Sequence, residues 1–99
     1  IVPKVADVRE LHELSNDMFN TVMELARSIG LMMEKSFRAD KINTAAIGNM
    51  VPQLHVHVVA RNVGDVAWPG PVWGVGEMQP LDPQLQQERV SLIRDGLKR

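Results

Sequence analysis

The chain has 99 residues, 44% of them hydrophobic, with 11 basic and 12 acidic side chains and a formal net charge of −1. That length supports one domain around one modest core, and the near-neutral balance leaves no electrostatic footprint for nucleic acid or an anionic membrane. With no cysteine in the chain, disulfides and thiolate metal sites are excluded, which fits a reducing compartment and makes the cytoplasm the expected location.

The chain opens Ile1-Val2-Pro3-Lys4, without Met. An apolar pair meeting Pro-Lys reads as the end of a strand. The expectation is therefore a single domain over residues 1–99 that is N-terminally incomplete, a processed N-terminus being the alternative. No signal-peptide pattern follows. Asp7 and Glu10 have the spacing of a capping box and predict a short helix to about Leu14. Ser15 and Asn16 offer a second cap. From Asp17 to about Phe37 the apolar residues Phe19, Val22, Met23, Ala26, Ile29, Met33 and Phe37 recur at helical spacing, and Met18, Leu25 and Met32 widen the stripe. A face this wide predicts packing against a sheet. Gly30 costs such a helix about 1 kcal/mol relative to Ala, so it marks close packing. The apolar run Ile29 to Met33 is far too short to span a bilayer.

Ala39-Asp40-Lys41 reads as a turn, Ile42 to Ile47 as a strand, and Gly48-Asn49 as its break. Gln53 to Arg61 is the clearest strand: Leu54, Val56 and Val58 alternate with Gln53, His55, His57 and Val59. The first set predicts an apolar face lying on the long helix. Residues 62–80 are rich in Gly and Pro, yet Trp68-Pro69-Gly70-Pro71-Val72-Trp73-Gly74 is too stiff and aromatic for a disordered linker, which predicts an ordered loop. Asp82 caps a last helix with Pro83 at its first position. Leu85, Val90, Ile93 and Leu97 lie on one side of it, and Lys98 and Arg99 suit the negative end of its dipole.

Residues two apart on a strand share a face, about 6.6 Å from each other, so Gln53, His55 and His57 point together. Three readings follow. The pair can be structural, each ring satisfied locally. It can bind a metal, although a zinc site wants three or four ligands and the remaining candidates, His12 and scattered carboxylates, have no diagnostic spacing. Or a neutral imidazole can attack phosphorus and form a covalent intermediate. Spacing alone leaves all three open. Arg61 ends the strand on the same face, as a phosphate partner or as a solvated strand end. Trp68 either reaches over the site or a dimer interface, or anchors its own loop. Trp73 is assigned to packing and His12 to an exposed surface.

The stretch Gly48-Asn49-Met50-Val51-Pro52-Gln53-Leu54-His55-Val56-His57-Val58-Val59-Ala60-Arg61 resembles the signature of the histidine triad (HIT) superfamily, His-x-His-x-His followed by two apolar residues. Val2-Pro3-Lys4, the long helix and Trp68-Pro69 agree with the family in order. The resemblance implies an α+β fold, with an antiparallel sheet, a long helix on one face and the histidine strand central. It also implies a homodimer and a nucleotide substrate, with no cofactor or metal. By the same likeness His55 matches the nucleophile and His57 the histidine that contacts phosphoryl oxygens. Asn43, Gly48, Asn49, Gln53, Arg61 and Trp68 become the candidate substrate contacts. The chain departs from the pattern in three places. Gln53 stands where the first histidine belongs, and it cannot titrate. Asn49 replaces a Gln, and Met50 replaces a Ser or Thr that can donate to the leaving group. The Gln-x-His-x-His form is similar to bacterial HIT proteins described as dinucleoside polyphosphate hydrolases. The activity this implies is nucleotidyl transfer to His55 followed by hydrolysis, the alternative being a nucleotide-binding module with little turnover.

Overall fold

The computed structural model describes residues 1–98; Arg99, expected at the end of the last helix, lies outside them. The elements in order are a single 3-10 turn at Leu11–Glu13, helix α1 (Asn16–Phe37), strands β1 (Lys41–Ala45) and β2 (His57–Arg61), and helix α2 (Pro83–Gly96). The strands pair antiparallel with Asn43 opposite Val59 and Ala45 opposite His57. The fold is thus α+β, as expected.

Local chemistry explains most boundaries. Ser15 Oγ accepts from the Met18 N–H at 3.2 Å and starts α1. Arg38, with φ of 51°, ends it in the left-handed conformation. The Asp82 carboxylate accepts from the N–H groups of Gln84 and Leu85 at 3.2 and 3.4 Å, with Pro83 opening α2 as predicted. The first expected helix is corrected. Asp7 has φ of 61°, whereas an N-cap needs an extended backbone. The cap is Glu10, whose N–H donates to the Glu13 carboxylate at 3.0 Å, and a single turn follows.

The sheet lies on α1. Val22, Ala26 and Gly30 are the buried positions of that helix, one turn apart, and together with Leu54, Val56 and Val8 they form the core. The alternation expected for Leu54 and Val56 holds, and both are nearly inaccessible. Phe19 and Met23, expected in the stripe, are exposed instead at 38% and 40%. A two-stranded sheet is narrower than the face that α1 presents. On α2 only Ser91 and Ile93 are half-buried, as is Leu97 just past its end, while Leu85 and Val90 are exposed. The Arg89 guanidinium lies 5.4 Å from the centre of the Phe37 ring.

The histidine strand begins later than the alternation suggests. Residues 53–56 lie outside β2 and do not pair with β1. The Arg61 carbonyl accepts from the Asp40 N–H at 2.9 Å on the β1 side. Strand period two then turns the polar groups of Val56 to the opposite edge. There Val56 exchanges both backbone hydrogen bonds with Ile1, at 2.7 and 2.8 Å, and the Leu54 N–H donates to Val8 at 2.9 Å. The lead-in to β2 is therefore flanked by the N-terminal segment, with β1 on the other side.

Candidate active site

Both histidines stand on the sheet face turned away from α1. Their ring centres are 5.0 Å apart with planes at 72°. His55 Nδ1 lies 2.8 Å from the Gln53 carbonyl oxygen. A carbonyl only accepts, so Nδ1 carries the hydrogen. In the neutral ring this leaves the lone pair on Nε2, the nitrogen that can act as a nucleophile. The backbone of a residue two positions earlier thus sets the tautomer.

A cleft of about 420 Å³ opens over the pair. It is lined by Ile47, Gly48, Asn49, Met50, Val51, His55, His57, Trp73 and Gly74. Gly48 has φ of 63°, a conformation that costs glycine little, and turns the chain back so that residues 47–51 form one wall. Met50 is almost fully exposed at the rim. A larger depression, about 620 Å³, runs along Gln84, Gln87, Glu88, Ser91, Leu92 and Asp95 of α2 and carries no imidazole. Among the described residues, no three His, Cys, Asp or Glu side chains gather in a way that would hold a metal ion.

Of the residues expected at the site, His55, His57, Gly48 and Asn49 meet in this cleft. The others are placed elsewhere. The Gln53 amide donates to the Val5 carbonyl at 3.3 Å and ties the strand lead-in to the N-terminal segment. For Arg61 the expectation of a solvated strand end is corrected. The residue is 2% exposed, and its charge is taken up inside the protein. Nε and Nη2 donate to the two Asp65 oxygens at 2.7 and 2.9 Å, and Nη1 donates to Asn43 Oδ1 at 2.8 Å. Asn43, expected on phosphate or ribose, therefore turns its oxygen to Arg61. Trp68 is not among the lining residues of this cleft; the Arg61 guanidinium lies 5.6 Å from its ring centre.

Asp65 was not foreseen. The Arg61 hydrogen bonds hold its carboxyl well below the usual carboxylate range. Desolvation opposes that shift, and the N–H groups of Ala67 and Trp68, at 3.0 and 2.8 Å, reinforce it. The same pairing pushes the Arg61 guanidinium further up. Trp73 was assigned to packing, yet it stands in the cleft with its ring centre 5.4 Å from that of His57, at 73°. Opposite charges four residues apart, Arg61 and Asp65, were the available signal for the first. For Trp73 the only signal was an aromatic residue within the stiff loop, because loops have no periodicity to give direction.

The HIT domain model matches residues 1–64. Among solved structures, a histidine triad protein from Sinorhizobium meliloti 1021 superposes with a TM-score of 0.92 at 38% identity, over 97% of this chain and 71% of that one. One from Bradyrhizobium japonicum gives a TM-score of 0.93 at 37% identity, over 98% and 72%. One from Marinobacter aquaeolei VT8 gives 0.90 at 40% identity, over 97% and 70%. No curated protein matches the chain. With the family model covering most of the chain and these structures matching in both sequence and fold, the chain belongs to the histidine triad (HIT) family.

Proposed function

We propose that this protein is a nucleotide hydrolase or transferase that works through a nucleotidyl group held on His55. The observation that carries the reading is the His55 Nδ1–H bond to the Gln53 carbonyl, which leaves the lone pair of this cleft-lining ring on Nε2, free to act as a nucleophile. In the first step Nε2 attacks the α-phosphorus. The bond from phosphorus to the leaving group breaks, and the leaving group departs with the electron pair and takes up a proton. Water then attacks the same phosphorus and gives up a proton to solvent, balancing the one taken up in the first step; the phosphorus–Nε2 bond breaks, the pair returns to Nε2 and a nucleoside monophosphate leaves. The Gln53 carbonyl supports the positive charge that His55 carries between the steps. In this scheme the His57 imidazole, beside His55 in the same cleft, donates to the phosphoryl oxygens.

The substrate classes are nucleoside phosphoramidates and dinucleoside polyphosphates. The cleft favours the first. No Lys or Arg is among its described lining residues, and the Arg61 charge is neutralised by Asp65. A polyphosphate leaving group would find little countercharge there, whereas a small or apolar amine would meet Met50, Val51 and Trp73. We further propose, from the family likeness, that the protein works as a homodimer.

The test is AMP release from an adenosine phosphoramidate and from diadenosine tetraphosphate by the full-length protein, with His55→Ala and Gln53→His in parallel. Turnover that disappears in His55→Ala is expected, with the phosphoramidate the better substrate. A second reading, a nucleotide-binding module, is motivated by Gln53, whose amide is engaged with Val5 and cannot titrate. It predicts AMP binding, seen as a raised melting temperature, with no turnover of either substrate.

A further inference from the structure

The two histidines are held by different means. His55 has its hydrogen bond to Gln53. Among the described residues His57 makes no side-chain hydrogen bond. The final torsion of a histidine is broad and roughly two-fold when nothing else sets it. The His57 ring lies between two others, that of His55 and that of Trp73, each meeting it edge to face. Trp73 is therefore its outer restraint.

Trp73 comes from a segment with no helix or strand of its own, so its position depends on what pins that segment. The pin is at the end of β2. Asp65 receives two hydrogen bonds from Arg61 and two more from the N–H groups of Ala67 and Trp68. Trp68 then covers the guanidinium. The chain leaves β2, turns back and is fastened to the strand that carries His57, before it runs on to Trp73. Strand and loop form one unit, and a fork–fork pair between the buried Arg61 and the half-buried Asp65 at its base defines the geometry.

We propose that Trp73 is a positioning residue of this site: its indole fixes the His57 imidazole, and the Arg61–Asp65 pair acts through it by fixing the loop that presents it. The kinetic consequence rests on the hydrolase reading; the geometry does not. Without the indole, the His57 ring samples a second orientation and its N–H leaves the phosphoryl oxygen for part of the time. Binding of the nucleotide depends on other contacts. The loss therefore falls on kcat, about 10- to 100-fold, the scale of a catalytic group displaced by an ångström, with KM nearly unchanged.

The experiment measures kcat and KM for an adenosine phosphoramidate in the wild type, Trp73→Leu, Trp73→Phe, Asp65→Asn and the Trp73→Leu/Asp65→Asn double variant. The His57 ring proton signals are followed by NMR in each. The expected results are a kcat loss in Trp73→Leu, recovery of most of it in Trp73→Phe, and shifted His57 signals as the indole ring current disappears. Asp65→Asn should lower kcat alone and add nothing in the Trp73→Leu background, because it acts through that residue. Full kcat in Trp73→Leu, or His57 signals that do not move, would overturn the inference. Additive losses would overturn the role given to the pair. Where the leucine variant does not fold, Trp73→Phe reads the same contact, since the smaller ring must also shift the His57 signals. A wild type that releases no AMP defeats the hydrolase reading, and the NMR signals still decide the role of Trp73.

Discussion

Replacing Gly30 with alanine tests the seat of α1 against the sheet that carries the histidines. Gly30 is buried in the middle of a 22-residue helix. A Cβ built there meets Ile42 Cγ2 of β1 at 3.5 Å, ordinary van der Waals contact. The methyl group therefore enters without strain. It removes the backbone freedom that glycine adds to the unfolded chain, a gain of about 0.5–1 kcal/mol. In a domain of this size that raises the melting temperature by roughly 2–8 °C. Valine at the same position gains less than alanine. An open depression between Met23, Gly30, Ile42 and Thr44 leaves room for its γ-methyl groups, but β-branching in a helix costs about 0.5 kcal/mol relative to Ala. Thermal and urea unfolding followed by circular dichroism give both values. A destabilised alanine variant would refute the packing of α1 on β1 described above.

Leu54 is 2% exposed beneath the strand that bears His55, so Leu54→Ala should cost about 2–5 kcal/mol in urea unfolding; a loss under 1 kcal/mol would contradict its place in the core. The Asp65 carboxyl is held below its ordinary range in the folded protein. Its contribution to stability is therefore complete above the unfolded value, about pH 4, and is lost as pH falls further through the folded value. Acid unfolding of Asp65→Asn should lack that part of the pH dependence, and identical acid profiles would refute the pairing. Met50 is 94% exposed at the cleft rim. Met50→Ser should change stability by less than about 0.5 kcal/mol and raise AMP release by returning a proton donor near the leaving group; an unchanged rate would remove that residue from the account.

The parts of this fold that were legible in the sequence are those written as period and cap. Ser15 and Asp82 announced the two helices, and the alternation of Leu54 and Val56 with the histidines gave the two faces of the strand. Gly48 marked the turn that walls the cleft. Where the reading failed, the cause was tertiary. The capping-box spacing of Asp7 and Glu10 did not reveal that Asp7 takes a positive φ. The alternation over 53–61 reads as one continuous strand, but residues 53–56 lie outside β2, and Leu54 and Val56 hydrogen-bond instead to Val8 and Ile1. A pattern along one segment does not name its partner.

The site divides in the same way. His55 and His57 followed from strand period and family likeness, whereas the Gln53 carbonyl that sets the His55 tautomer is a backbone group and has no residue code. Arg61 reads as a phosphate partner or a solvated strand end because its place on the strand does not show that the loop folds back; the opposite charge of Asp65 four residues on is the one signal of the pair. The exchange of roles between Trp68 and Trp73 has the same origin. Both sit in one Gly- and Pro-rich loop, and only its folding decides which faces the guanidinium and which the imidazole.

The central claim is that His55 carries the nucleotidyl group between two displacements. The most direct test is the stereochemical course at phosphorus, read with a P-chiral adenosine phosphoramidothioate hydrolysed in oxygen-18 water. Two in-line displacements, the first by His55 Nε2, predict overall retention of configuration. Inversion would show that water attacks the substrate directly and would contradict the covalent role assigned to His55.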